Sequence, residues 1–153
     1  MEARITYQEV NPALLKGLNQ TEVAIKASGF DLKLLEMVKY RVSQINGCAF
    51  CLDMHHQEAI HLGETELRLH ALPAWRECPF YTDAERAALA FAEALTKAST
   101  YGIDDALYQN LASHYSKDEV VVLTMAITAI NSWNRINKAF ATTPGKYYVG
   151  MFG

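Results

Sequence analysis

Three residues in the segment NGCAFCLDMHH, which runs from Asn46 to His56, could do chemistry together: Cys48, Cys51 and His55. On a helix they fall within about 60° of one another, while His56 is turned away. Both cysteines then lie in the first turn. There unpaired backbone N–H groups and the helix dipole stabilise an anion and lower a thiol pKa. The thiolate is the nucleophile, and an unperturbed thiol of pKa about 8.5 is only a few per cent ionised at neutral pH. A histidine one turn further along the same face can accept the thiol proton. The second cysteine also has a use, because a sulfur oxidised to sulfenic acid condenses with a neighbouring thiol before further oxidation destroys it.

The same residues admit other readings. A lone CxxC with a nearby histidine can be half of a zinc site, and small buried cysteines are common in cores. Zinc needs a fourth ligand, and none is obvious: Cys78 is solitary and precedes Pro79, His61 and His70 stand alone, and there is no second CxxC. A thioredoxin-like motif should follow a strand in a βαβ pattern, which this sequence lacks. Asn131, Asn134 and Asn137 recur every three residues, either to hydrogen-bond near the site or to satisfy neighbouring helix ends, and the structural role is the simpler one. Trp75 and Trp133 read as packing residues. His56, with Glu58 close by, reads as surface.

The elements that must position these groups are helical. The 153 residues are half hydrophobic and one fifth charged, with a formal net charge of -3, the balance of a single globular domain spanning 1-153. The apolar spacing fits a helix almost throughout and shows no sustained period of two, so the expected fold is all-α, a bundle of about six to seven helices. Pro12 to Ala27 forms a first helix. Asp31 caps a second, with Leu32, Leu35, Val38, Val42 and Ile45 on one stripe, ended by Asn46 and Gly47. A third runs from about Cys48 to Leu62, and a short fourth from Glu64 to Ala71 leads into a loop carrying Pro73 and Pro79. Thr82 with Glu85 and Ser116 with Glu119 fit the capping box and open helices to about Ala98 and Ala141. Between them Asp104 to Ser113 forms a shorter helix. The last helix is apolar on most of its circumference from Val120 to Ile130, which suggests burial on several sides and fits a core helix as well as a subunit contact.

The excess of acids over bases argues against nucleic acid as a partner. The run Val120 to Ile130 is too short to cross a bilayer, which needs about 20 residues. The N-terminus reads as lacking a secretory signal, so a cytoplasmic protein is expected.

Glu36, eleven residues, Cys48, two residues, Cys51, three residues and His55 resembles the alkylhydroperoxidase D-like signature of the carboxymuconolactone decarboxylase superfamily. The resemblance extends over YTDAERAALAFAEALT, ending at Thr96, and INSWNRIN, from Ile130 to Asn137, and so spans roughly Asp31 to Asn137. It implies an all-helical fold, assembly into trimers or hexamers, and thiol-dependent reduction of hydroperoxides. It further implies Cys51 as the attacking cysteine, Cys48 as the resolving one, and Glu36 with His55 as a proton relay. The oxidised pair would be re-reduced by a dithiol such as a lipoyl-bearing protein, with no metal, flavin or haem cofactor. Helix geometry alone treats Cys48 as at least as acidic as Cys51. It also places Glu36 beside Leu32, away from the apolar stripe, where it reads as a solvated carboxylate. The sequence departs from the best-known members of the family at Phe50, where they carry a histidine. The decarboxylase branch lacks the cysteine pair, so the pair argues against that activity. A disulfide reductase or redox sensor, and a zinc-binding assembly module, are the alternative readings of the same residues.

Overall fold

The computed structural model describes residues 2–152. They form α1 (Pro12–Lys26), α2 (Leu32–Asn46), α3 (Ala49–His61), α4 (Glu66–Ala71), a 3-10 helix (Leu72–Glu77), α5 (Asp83–Thr96), α6 (Ala98–Tyr101), α7 (Asp105–Ala112) and α8 (Lys117–Phe140). No strand occurs among the described residues. The fold is all-α, as the periodicity requires, with eight α-helices where six to seven were expected.

The difference lies in short pieces. Leu72–Glu77, expected as loop, winds as a 3-10 helix with a proline in its first turn and a kink at Ala74. The proline stands at the junction where α4 passes into the tighter helix, its fixed φ compatible with a helical turn. After Thr96 the non-helical backbone of Lys97 breaks the chain before the single turn α6, which Gly102 ends at φ 67°. The fourth helix starts two residues later than expected because Thr65, not Glu64, is the cap, its side chain accepting from the Arg68 N–H. The Glu64 carboxylate instead accepts from the Thr65 N–H and the Arg68 guanidinium, each at 2.8 Å.

The other boundaries follow their signals. Asp31 Oδ1 accepts from the N–H groups of Lys33 and Leu34, and both capping boxes form in full at Thr82 and Ser116. Gly47 closes α2 in the left-handed conformation, φ 61°, which a glycine adopts without steric cost. It turns the chain directly into α3.

α2 is the central element, packing against α3, α5, α8 and the 3-10 helix. Its Leu34, Leu35, Met37, Val38 and Val42 are buried, each contributing roughly 1.5–3 kcal/mol of transfer free energy. Leu123, Ala126, Ile127 and Ile130 of α8 and Ala88, Leu89 and Ala92 of α5 complete one core. Trp75 belongs to that core and Trp133 packs against it, as packing residues should. α8 is not covered on every side, since Val121 and Met125 face outward. A polar pin fixes the far side of α2: Glu93 of α5 accepts from Arg41 of α2 at 2.8 Å and from Trp75 and Arg76 of the 3-10 helix at 3.0 and 2.6 Å. Among the described residues no helix is long and apolar enough to cross a membrane.

Candidate active site

Cys48 is the N-cap of α3 and Cys51 lies in its first turn. Their Cα atoms are 5.3 Å apart and their sulfurs are joined as a disulfide. The backbone turn at Gly47 makes this possible, because Cys48 keeps an extended conformation, φ -96° and ψ 99°, before the helix begins. Both cysteines are buried, 2% exposed.

His55 follows Cys51 by one turn of α3 and is also buried. Its Nδ1 is 2.6 Å from Glu36 Oε2 on α2. Burial alone would push the Glu36 carboxyl up, but the charge and hydrogen bond of His55 and the charge of Lys39 outweigh it and hold the pKa at about 2. Glu36 is therefore ionised at any working pH and accepts a proton-bearing Nδ1. That assigns the tautomer: neutral His55 carries its lone pair on Nε2, which is buried and has no hydrogen-bond partner among the described residues. Glu36 is thus not the solvated carboxylate that its place on the helical wheel implied. Its other oxygen lies 3.6 Å from Lys39 Nζ, one turn along α2, and Lys39 binds Glu22 of α1 at 2.9 Å. Lys39 is itself buried. Burial pushes its pKa down, but the charges of Glu36 and Glu22 prevail and raise it, so the neighbouring Lys39 and Glu36 are both held charged.

α8 supplies the third wall. Asn137 Nδ2 lies 3.6 Å from Cys51 Sγ and 3.0 Å from the Trp133 carbonyl, while its Oδ1 accepts from the Tyr7 hydroxyl at 2.9 Å. Asn131 and Asn134 act elsewhere. Both accept from the Asn46 amide, at 2.9 and 2.8 Å, and Asn134 donates to Ser43 at 3.1 Å, so they lock α8 to the end of α2. The period of three exposed the group but did not separate Asn137 from the other two. Nothing in the sequence signalled Tyr7 or Lys39.

Cys48, Cys51 and His55, grouped by helical spacing, and Glu36, added by the resemblance, form two bonded pairs, Cys48 with Cys51 and Glu36 with His55. His56 is half-buried and pairs with Glu66 at 2.8 Å, not with Glu58; Glu58 hydrogen-bonds the Tyr147 hydroxyl. The residues after α8 lie along α3, with Asp53 accepting from the Gly145 N–H at 2.6 Å and Phe152 packed edge-on against Phe50. Among the described residues, no three His, Cys, Asp or Glu side chains are arranged to hold a metal ion.

Residues 12–94 match the model of the carboxymuconolactone decarboxylase family. The chain belongs to that family. Among its relatives, the uncharacterized protein YdfG of Bacillus subtilis (strain 168) is 42% identical over 139 residues, covering 91% of this chain and 95% of that protein. The crystal structure of a protein of unknown function from Agrobacterium tumefaciens, for which a role as the antioxidant defence protein AhpD has been suggested, superposes with a TM-score of 0.90. It is 38% identical and covers 95% of this chain and 100% of that one. An uncharacterized peroxidase-related protein from Silicibacter sp. TM1040 superposes with a TM-score of 0.79 at 26% identity, covering 95% of this chain and 77% of that one. Within the carboxymuconolactone decarboxylase family the chain is alkylhydroperoxidase D-like, and the matched region contains Glu36, Cys48, Cys51 and His55.

Proposed function

We propose that this protein is a thiol peroxidase that reduces hydroperoxides through a Cys51 and Cys48 dithiol cycle. The observation that carries the reading is the placement of a bonded cysteine pair and a charge-assisted Glu36 and His55 pair on two adjoining helices, with the cysteines and the histidine on α3. The suggested antioxidant role of the Agrobacterium tumefaciens relative supports the same class of chemistry.

In the reduced protein His55 Nε2 takes the Cys51 proton. The thiolate attacks the distal oxygen of the hydroperoxide, the O–O bond breaks, and the alkoxide leaves as alcohol with the proton returned by the imidazolium. Cys51 is now a sulfenic acid. The Cys48 sulfur attacks it, water departs, and the disulfide forms. A dithiol, of which a lipoyl group is one kind, restores both thiols by exchange through a mixed disulfide. Glu36 stabilises the transient imidazolium, and Lys39 keeps Glu36 ionised. No metal or organic cofactor takes part in this cycle.

Stopped-flow mixing of the reduced protein with hydrogen peroxide and an organic hydroperoxide, with free thiols counted before and after, tests the proposal. The expected result is loss of two thiols per chain together with consumption of peroxide, abolished in Cys51→Ser. Thiols that survive millimolar peroxide yet turn over small disulfides would replace the peroxidase with a disulfide reductase and would implicate Phe50.

A further inference from the structure

Helix geometry does not decide between the two cysteines. Cys48 sits nearer the start of α3 and feels the helix dipole at least as strongly. The packing of α8 does distinguish them.

We propose that Asn137 is a further catalytic residue that donates a hydrogen bond to the Cys51 sulfur and holds it as the thiolate, and that Tyr7 is the residue that positions the Asn137 amide. The inference rests on the reading of Cys48 and Cys51 as the redox centre and adds to it the group that selects which sulfur attacks.

An asparagine side chain has two N–H donors and one acceptor oxygen, and at Asn137 all three are engaged. Nδ2 donates to the Trp133 carbonyl at 3.0 Å and to Cys51 Sγ at 3.6 Å, and Oδ1 accepts from Tyr7 at 2.9 Å. The orientation of the amide is determined. The Trp133 carbonyl can only accept, so the opposite orientation would set two oxygens against each other and turn an oxygen toward the sulfur. With Oδ1 anchored by the phenol, the remaining N–H points at Cys51.

That bond is worth little to a disulfide sulfur, a weak acceptor. It strengthens when the sulfur becomes a thiolate, because hydrogen bonds to an ionised partner are about twice as strong as neutral ones. Asn137 is buried, so water does not compete for the donor. A group bonded more strongly to the charged than to the neutral form lowers the pKa of its partner. Cys48, as the N-cap, makes no side-chain cap hydrogen bond.

The charged and titratable groups on the elements meeting at this corner include Glu36 and Lys39 on α2, Asp53 and His55 on α3, Lys138 on α8 and Tyr7 itself, with Asp53 engaged by the Gly145 N–H. Glu36 and Lys39 neutralise each other at 3.6 Å. Lys138 is spent on the Asn46 carbonyl at 2.7 Å and approaches the Gly47 carbonyl at 3.4 Å. Burial pushes the Tyr7 phenol up, so it remains a neutral donor throughout the range in which a thiol titrates.

The experiment measures the thiol rather than the turnover. In reduced Cys48→Ser/Cys78→Ser protein, the rate of Cys51 alkylation by iodoacetamide is followed against pH. The same measurement is made with Asn137→Ala and, separately, Tyr7→Phe added. Losing a hydrogen bond to a charged group should lower the ionisation constant of Cys51 about tenfold, roughly one pH unit upward, in Asn137→Ala. Tyr7→Phe, which removes a single oxygen, should shift it in the same direction by about two- to threefold. A Cys51 titration unmoved in both variants would overturn the proposal. So would an equal shift of Cys48, measured in Cys51→Ser/Cys78→Ser protein, because a general loosening of the fold would move both thiols. Peroxide is absent from this assay. A shifted Cys51 in a protein whose thiols survive peroxide would uphold the role of Asn137 while the peroxidase reading fails, and the reverse combination would remove Asn137 alone.

Discussion

Glu36 is the residue at which charge, tautomer and stability meet. Its carboxylate holds the Nδ1 proton of His55 and faces Lys39, so replacing it with glutamine keeps the shape and removes the charge. The difference between a charge-assisted and a neutral hydrogen bond, on the order of 1.4 kcal/mol, corresponds to about tenfold in rate. Glu36→Gln should therefore lower kcat/KM for hydroperoxide about tenfold, while an unchanged value would remove Glu36 from the relay. The same variant carries a pH signature. The folded protein depresses the Glu36 pKa from 4.5 to about 2, so its ionised form stabilises the fold fully above the ordinary value. That stabilisation is lost as the pH falls from about 4.5 through about 2. Urea unfolding should find Glu36→Gln less stable than the native protein by a constant amount, roughly 2–3 kcal/mol, above pH 5. The gap should close toward pH 2, and a gap that stays constant down to pH 2.5 would contradict the assigned shift. At this scale Cys48, Cys51 and His55 were legible, because their grouping depends only on the pitch of one helix. Glu36 was not legible from its own helix. What buries it is α3, reached only through the resemblance, and its wheel position beside the exposed Leu32 pointed the other way. Tyr7 and Asn137 are 130 positions apart, and no local pattern connects them.

Among the elements, the strong signals held where they were local. Asp31, Thr82 and Ser116 cap the helices that their spacing announced, and Gly47 ends α2. The misses are short pieces, the single turn α6, the start of α4 and the six-residue 3-10 helix, which draws the core residues Leu72 and Trp75 inward. One boundary is worth testing. α8 ends at Ala141 in the left-handed conformation, φ 54°, where an L side chain costs roughly 1–2 kcal/mol and a glycine costs none. A glycine also loses more entropy on folding, about 0.4–1 kcal/mol. The steric term is the larger, so Ala141→Gly should stabilise the protein by roughly 0.5–1 kcal/mol in urea denaturation. A loss of stability would mean that the Cβ of Ala141 contributes packing that its backbone angles do not reveal. The variant leaves Asn137 in place, four residues upstream on the same helix, so kcat should not change.

For the whole molecule, the proposed cycle requires a fold indifferent to the state of its own disulfide. The bridge closes a loop of only four residues, and a loop that short removes little entropy from the unfolded chain, about 2 kcal/mol by the chain-entropy relation. The helices stand on other supports. α2 and α8 meet through the Asn46, Asn131 and Asn134 amides and the core around Val38, Val42 and Ile127, and α2 meets α5 through Arg41 and Glu93. The polar contacts involve no sulfur, and Cys48 and Cys51 are two residues of a core that extends well beyond them. The segment after α8 is likewise tied to α3 at Asp53 and Glu58, residues on the helix surface rather than at the bridge. Two kcal/mol in a chain of this size corresponds to about 4–8 °C in Tm. Melting the oxidised and the fully reduced protein by circular dichroism should show a drop within that range, with the same helical signal at 25 °C in both. A much larger drop, or loss of helix on reduction, would make the bridge a structural staple. The dithiol form would then be too unstable to serve as the resting state of a catalyst.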